Sequence, residues 1–369
     1  MVVTTDPARP ATIGVDLAAL ERVLVVKLSS LGDIVHVTPC LRALRRSCPR
    51  ARITMVVERR FAALVENDPS LDERIAIDHA PRAVWRQLAC AARALRARRA
   101  PRFDLAIDFQ GLLRSAAWVY ASAARIKVGR GGRRPGWDAV VAPCAGRHAV
   151  EICADVAAAL GVRVDDLEPR LFVDQAADRR LAARLAALGL PGSGFLLVNP
   201  FSRWASKTWP VERWAELVRR ARREVGLPIL LTGGPGEEAD AARLVAAIGP
   251  PAPASFVGNL ALDEALCLYR RGTLMVTGDT GPMHAAAALG TRVVALFGPT
   301  LPESTGPCGA GHVVVQAARP THAHAYREDA YGRLIGAIDV DMVMAGIRRA
   351  LGGGEATREA RTGLPASGD

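Results

Sequence analysis

Short runs of aliphatic, β-branched residues recur along this chain, each followed by a turn and then by a segment with helical apolar spacing; few folds accept that alternation. Strands that alternate with helices form parallel sheets covered by helices on both faces. The first run, residues 22–28 (RVLVVKL), is almost wholly apolar, as a strand buried on both faces requires. The turn 29–33 (SSLGD) leads into a predicted helix over 34–46 that stops near Pro49. Further strands are expected at 53–57, 74–77 and 105–109, and a strongly basic helix at 83–99. Residues 129–136 (GRGGRRPG) read as a loop, and 148–160 as a helix ended by Gly161. Prolines and glycines between 165 and 194 bracket a helix at 176–188. A second α/β set follows, with strands at 195–198, 228–231, 274–277 and 292–297 and helices at 211–225, 237–248, 262–271 and 282–289. A last helix is expected at 339–351.

The implied organisation is an irregular extension (1–20), a first domain (21–170), a linker region (171–194) and a second domain (195–337). A C-terminal helix (338–351) and a polar disordered tail (352–369) complete it. Two doubly wound, Rossmann-like α/β domains of this kind are expected to face each other across a cleft, where the strand-end edges of open sheets bind ligands.

Bulk properties narrow the chemistry. The 369 residues are 50% hydrophobic and carry a net charge of +11, which suits a nucleic acid, an anionic membrane or a phosphorylated substrate as well as a solvated arginine-rich surface. No aromatic-studded basic surface or nucleic-acid motif is present, so nucleic acid is not an expected partner. Of 48 basic residues only Lys27, Lys127 and Lys207 are lysine, and two of these fall in the motifs below. The seven cysteines never form a CxxC pair and the seven histidines do not cluster. Neither a disulfide scaffold nor a metal site is expected, and the cysteine usage suits a reducing cytoplasm. Residues 1–16 lack the apolar run of a signal peptide, and no apolar stretch reaches the roughly 18 residues of a membrane span. A soluble, cytoplasmic protein, at most peripheral on a membrane, is expected.

Three loops at strand ends in the second half concentrate reactive groups. Residues 199–210 (NPFSRWASKTWP) lead into a helix, with Ser202, Arg203 and Lys207 in the turn; helix-start amides and a lysine favour a phosphate there, while capping by Ser206 or Thr208 is the plain alternative. Residues 232–238 (TGGPGEE) have a weak dinucleotide-like spacing. The next run ends in Gly258-Asn259 rather than the acid that holds a ribose, which disfavours hydride chemistry. Glu237 is left either to bind a ribose hydroxyl or to complement its helix dipole. In 277–284 (TGDTGPMH), Pro282 suits a first helical turn, Thr280 a cap, and four outward amides a diphosphate. Asp279 beside that anion site either binds hydroxyls, orients amides or only caps. In the first half Asp33 is either a helix-dipole complement or a general base.

Together these segments resemble glycosyltransferase family 9, the lipopolysaccharide heptosyltransferases. The resemblance runs through VLVVKLSSLGDIVHVTPCLRAL (23–44), DLAIDFQGLLRSA (104–116), HAVE (148–151), the 199–210 loop, GDTGPMHAAAALG (278–290) and VVALFGPT (293–300). It implies a GT-B fold and inverting, metal-independent transfer of a heptose, without a cofactor, from an ADP-heptose donor to an anionic inner-core glycolipid acceptor. Asp33 matches the family's catalytic base, with Ser30 beside it and Lys27 at the end of the first strand. Ser202, Arg203 and Lys207 match the diphosphate loop, although a Thr-Thr pair is usual in heptosyltransferase I where Ser202-Arg203 stands. Glu237 matches the ribose acid and Leu260 the adenine contact; Asp279, Thr280, Gly281, Met283 and His284 match the nucleotide-sugar turn. Gln110, Arg114 and Arg130 are then expected at the acceptor, and the arginine-rich first half at a membrane surface. The segment 319–336 departs from the family's pattern. A transferase using another nucleotide sugar, a GT-B-like nucleotide-sugar epimerase and a non-catalytic binding protein are the competing readings.

Overall fold

The computed structural model describes residues 2–4, 12–78, 84–97, 102–142, 144, 146–320 and 332–352. The chain divides into two compact units between Asp174 and Gln175.

In the first unit the elements are β1 (Val2–Thr4), β2 (Arg22–Val26), α1 (Leu31–Val35), α2 (Thr38–Ser47), β3 (Arg52–Glu58), β4 (Glu73–Ile77) and α3 (Val84–Ala97). β5 (Leu105–Asp108), α4 (Leu113–Ala121), β6 (Ile126–Arg130), β7 (Ala139–Val141) and α5 (Ala149–Ala158) follow. The seven strands form one sheet in the order β1-β7-β6-β5-β2-β3-β4, every pairing parallel. β2 lies near its middle, which explains its composition: Val23, Leu24, Val25 and Val26 are all fully buried. On one face Leu24, Val26 and Leu28 pack with Trp118 of α4 and with Ala91 and Leu95 of α3. From β2 the chain winds outward to β3 and β4, and from β5 it winds the other way to β6 and β7. The loops after the adjacent strands β2 and β5 therefore emerge side by side, at the switch point where open sheets bind ligands.

The second unit comprises α6 (Gln175–Ala187), β8 (Phe195–Asn199), α7 (Val211–Glu224), β9 (Ile229–Leu231), α8 (Glu238–Ile248), β10 (Ala254–Ser255), α9 (Leu262–Arg271) and β11 (Gly272–Gly278). α10 (Gly281–Ala288), β12 (Arg292–Leu296), α11 (Pro302–Thr305), β13 (Val313–Val315), α12 (Gly332–Gly336) and α13 (Val340–Gly352) complete it. Six parallel strands run in the order β10-β9-β8-β11-β12-β13, so the switch point lies between β8 and β11. Trp209 and Trp214 meet edge to face at 5.0 Å in the core under α7, and Trp209 Nε1 donates to the Ile338 carbonyl at 2.9 Å.

Several elements differ from the sequence expectation. The helix expected over 34–46 is two helices: Pro39 lacks an N–H and sits in the first turn of α2, and Thr38 Oγ1 donates back to the Val35 carbonyl at 2.9 Å. Residues 2–4, expected to be irregular, pair as β1 with β7. β6, β7, β13 and α4 are further elements beyond those the sequence pattern predicts. The helix expected inside the linker is α6, and it belongs to the second unit: Arg180 and Arg184 pair with Asp263 and Glu264 of α9, and Asp178 with Arg270 and Arg271. The expected tail after Gly352, which itself ends α13, and most of the 319–336 segment lie outside the described residues.

Gly129 lets β6 approach β5. A Cβ there would lie 2.4 Å from the Trp137 ring and 2.9 Å from Asp108 Cβ. Gly129→Ala is expected to lower unfolding free energy by about 1–3 kcal/mol in urea titrations; an unchanged midpoint would mean that the strand has room to move.

Candidate functional site

The first cluster grows from the end of β2. Lys27 is only 2% exposed, and a buried ammonium must be compensated. Its Nζ donates to the Phe109 carbonyl at 3.2 Å and pairs with Asp33 Oδ1 at 3.4 Å. Asp33, in the first turn of α1, takes up Ser30 as well: Oδ2 accepts the Ser30 O–H at 2.7 Å and the Ser30 N–H at 3.1 Å. Burial pushes the Asp33 carboxyl up. Lys27, the two Ser30 donors and His36 outweigh it and hold the group well below the usual carboxylate range. The side chain nevertheless keeps 43% of its surface open, so Asp33 is an ionised carboxylate that a ligand can reach.

The loop after β5 grips this turn. Gln110 Oε1 accepts the N–H groups of Leu28 and Ser29, both at 3.1 Å. Arg114 Nη2 donates to Ser29 Oγ at 3.0 Å, and Nη1 lies 3.9 Å from the buried Glu58 carboxylate. Gln110 and Arg114, expected at an acceptor, thus have a framework task as well. Beneath them Asp108 Oδ1 accepts the N–H groups of Gln110 and Gly111, and Oδ2 lies 2.8 Å from Ser115 Oγ. Ser115 Oγ is also 2.8 Å from the Leu112 carbonyl. Complete burial pushes the Asp108 carboxyl up to about 6, against the opposing hydrogen bonds from Ser115, Gly111 and Gln110. Arg130 ends β6 half-buried. Burial raises the Cys153 thiol, and the charges of Lys27 and Arg130 oppose it.

The second cluster lies on the three loops after β8, β9 and β11. Lys207, in a single 3-10 turn, pairs with Asp279 at 2.6 Å, the side chains 15% and 7% exposed. The charge expected to be free for an anion is therefore already matched by a carboxylate. α10 starts at Gly281 with Thr280 as its cap residue, yet the Thr280 hydroxyl makes no capping bond and lies 3.2 Å from the Thr277 hydroxyl. Nor are four amides open: Pro282 has no N–H, and the Met283 N–H turns to the Thr280 carbonyl at 3.1 Å. The donors this turn can still offer are the amides of Thr280 and Gly281. Met283 is fully buried, so its side chain packs under the turn, and His284 is nearly so.

Glu237 Oε2 accepts the Gly234 N–H at 2.6 Å. Burial raises its carboxyl, which the Gly234 N–H opposes. Gly233 lets the two side chains approach the backbone here: a Cβ would lie 2.7 Å from both Glu237 Oε2 and the Phe201 ring, so one of them would have to shift. The Gly258 N–H donates to the Gly233 carbonyl, bringing the half-buried Leu260 segment beside the Glu237 loop. Ser202 Oγ accepts the Trp204 N–H at 3.3 Å, and Arg203 is exposed.

Residues 73–335 match the profile of glycosyltransferase family 9 (heptosyltransferase). The chain belongs to glycosyltransferase family 9. It is 32% identical over 305 residues to lipopolysaccharide heptosyltransferase 1 of Pseudomonas aeruginosa, covering 79% of this chain and 82% of that one. A family 9 glycosyl transferase from Veillonella parvula superimposes with a TM-score of 0.83 at 24% identity, over 92% of this chain and 99% of that one. E. coli heptosyltransferase WaaC, solved with ADP, gives 0.66 at 26% identity over 89% and 99%. This family 9 transferase accordingly has the GT-B fold, built from two parallel α/β units. Among the described residues no helix is long and apolar enough to cross a membrane.

Sequence reasoning passed over His36 and Asp108. His36 follows Asp33 by three residues at the end of α1, contributes to holding the carboxyl down, and meets the His148 ring edge-on at 5.5 Å. The i, i+3 spacing was its available signal. For Asp108 the signal was an acid closing an otherwise apolar strand.

Two outcomes follow from these networks. Lys207→Met strands a buried carboxylate and is expected to cost about 3 kcal/mol in urea unfolding, whereas Lys207→Met with Asp279→Asn recovers most of the loss; additive costs would mean no coupling. Asp108 has a folded-state pKa near 6 against 3.8 for the unfolded chain, so the folded protein holds an extra proton between them. Its contribution is full below about pH 4 and is lost as pH rises through 6. Relative to wild type, Asp108→Asn is expected to gain stability by about 2–3 kcal/mol between pH 4 and pH 7; a pH-independent difference would show that Asp108 titrates normally.

Proposed function

We propose that this family 9 enzyme moves a heptose, or a closely related sugar, from an ADP-sugar to a hydroxyl of an anionic glycolipid of the lipopolysaccharide inner-core type. Transfer is a single inverting displacement that uses no metal and no cofactor, on the cytoplasmic side of the inner membrane. The name of the P. aeruginosa relative and the ADP held by the E. coli neighbour support the substrate class. The observation that carries the reading is the Lys207–Asp279 pair beside the two open amides of α10. An ammonium on a carboxylate tether, next to a helix start, suits a diphosphate that gains charge as it leaves.

In this reading Ser202, Arg203, Lys207, Thr280 and Gly281 receive the diphosphate, Glu237 the ribose hydroxyls and Leu260 the adenine. Asp279 and His284 line the sugar side of the turn. Lys27, Ser30, Gln110, Arg114 and Arg130 serve the acceptor side, by contact or by shaping its loop. The acceptor oxygen bonds to the anomeric carbon while the bond from that carbon to the β-phosphate oxygen breaks on the opposite face, and ADP departs with the electron pair. The hydroxyl proton passes to Asp33. Because its partners hold Asp33 ionised, the carboxylate is ready at neutral pH but weakly basic, so it takes the proton late, once bond formation has made the hydroxyl acidic.

Asp33→Asn is expected to lower kcat by about 10²–10⁴-fold while leaving the thermal stabilisation by ADP intact, and NMR of the product is expected to show an anomeric configuration opposite to the donor's. A retained configuration, or no stabilisation by ADP or any ADP-sugar, would sink the reading.

A further inference from the structure

α3 turns an unusual face outward. Its inner side is anchored: Gln87 and Ala91 are fully buried, Leu95 nearly so, and Gln87 Oε1 accepts the Trp118 Nε1 hydrogen at 3.2 Å. That rotation puts Trp85 and Leu88 on the outer arc, 68% and 44% exposed, and Trp85 is the most exposed large apolar side chain among the described residues. Arg86, Arg93 and Arg96 share the arc, and the Arg86 guanidinium lies 5.0 Å from the Trp85 ring centroid. A helix whose outer side only meets water mixes charges of both signs. Here residues 79–102 contain seven arginines and neither Asp nor Glu. An indole and a leucine on a helix whose charged residues are all arginine complement a surface that is anionic above and apolar below, which is the headgroup layer of an anionic bilayer.

We propose that the outer face of α3 is the surface on which this enzyme rests on an anionic lipid bilayer. Trp85 and Leu88 enter the headgroup–acyl boundary, and Arg86, Arg93 and Arg96 meet lipid phosphates. The helix lies in the plane of the interface, since its other side is fixed in the first unit's core. The use of such a face rests on the reading that the acceptor is a glycolipid held in a membrane. Lipid binding itself needs neither donor nor acceptor.

The test is co-sedimentation of the full chain with phosphatidylglycerol–phosphatidylcholine vesicles and with phosphatidylcholine alone. Binding is expected to the anionic vesicles and to weaken with salt. Each of Arg86→Gln, Arg93→Gln and Arg96→Gln is expected to weaken it about fivefold, and Trp85→Ser with Leu88→Ser by about tenfold or more. Circular dichroism and the ADP thermal shift of these variants are expected to match wild type. Transfer to a vesicle-embedded acceptor falls in the Trp85→Ser, Leu88→Ser variant, while transfer to a deacylated, water-soluble acceptor does not. Equal vesicle binding by variant and wild type, or no preference for the anionic vesicles, overturns the proposal. An equal loss on both acceptors also overturns it, by making Trp85 a sugar contact. If ADP binding or transfer fails while vesicle binding persists, it is the donor and acceptor reading that falls.

Discussion

An ammonium group with 2% of its surface exposed cannot stand alone in a protein, and the requirement to compensate Lys27 organises the first unit's functional edge. Its two partners come from different loops: the Phe109 carbonyl after β5 and the Asp33 carboxylate on α1. The bond to Phe109 ties the two loops at the switch point together. The bond to Asp33 fixes the carboxylate's ionisation, with Ser30 holding it from the other side. Gln110 and Arg114 extend the same tie to the backbone and hydroxyl of residues 28 and 29, and Asp108 supports Gln110 from below. Charge compensation, loop geometry and the state of the candidate base are one network.

Much of this was legible in the sequence because parallel sheets leave a strong mark. Residues 22–28 could be placed without a structure, since a strand buried on both faces has little choice but Val, Leu and Ile. The acid on the first turn after it, the lysine at its end and the loops at 199–210 and 277–284 were found by position relative to such strands. Elements without that mark were missed. β6 mixes Lys127 and Arg130 with a glycine, and β7 has three residues. Both depend on pairing with neighbours rather than on their own composition. Pro39 was legible as a residue but not as the start of a second helix, because a proline suits a first turn as well as a break.

The site roles were harder to see for a related reason. A motif names a residue and leaves open what its polar atoms are engaged with. Lys207 looked like a free cation and is matched by Asp279; Met283 looked like a ligand contact and lies in the core. Gln110 looked like an acceptor contact and is committed, through its carbonyl oxygen, to two backbone amides. Each difference comes from an interaction between residues far apart in the chain, which spacing along a sequence cannot report.

The Lys207–Asp279 pair has one more consequence. A site that held a bare lysine beside a helix start would draw in any phosphate from solution. With the lysine matched by its own carboxylate, an anion must offer more than charge to capture it. A lone inorganic phosphate competes with Asp279 on poor terms, whereas a ligand already held by several other groups brings its diphosphate to the lysine at high effective concentration. In the proposed reading the internal counter-ion works as an entry threshold, keeping the lysine from abundant small anions and yielding it to a ligand bound at more than one point.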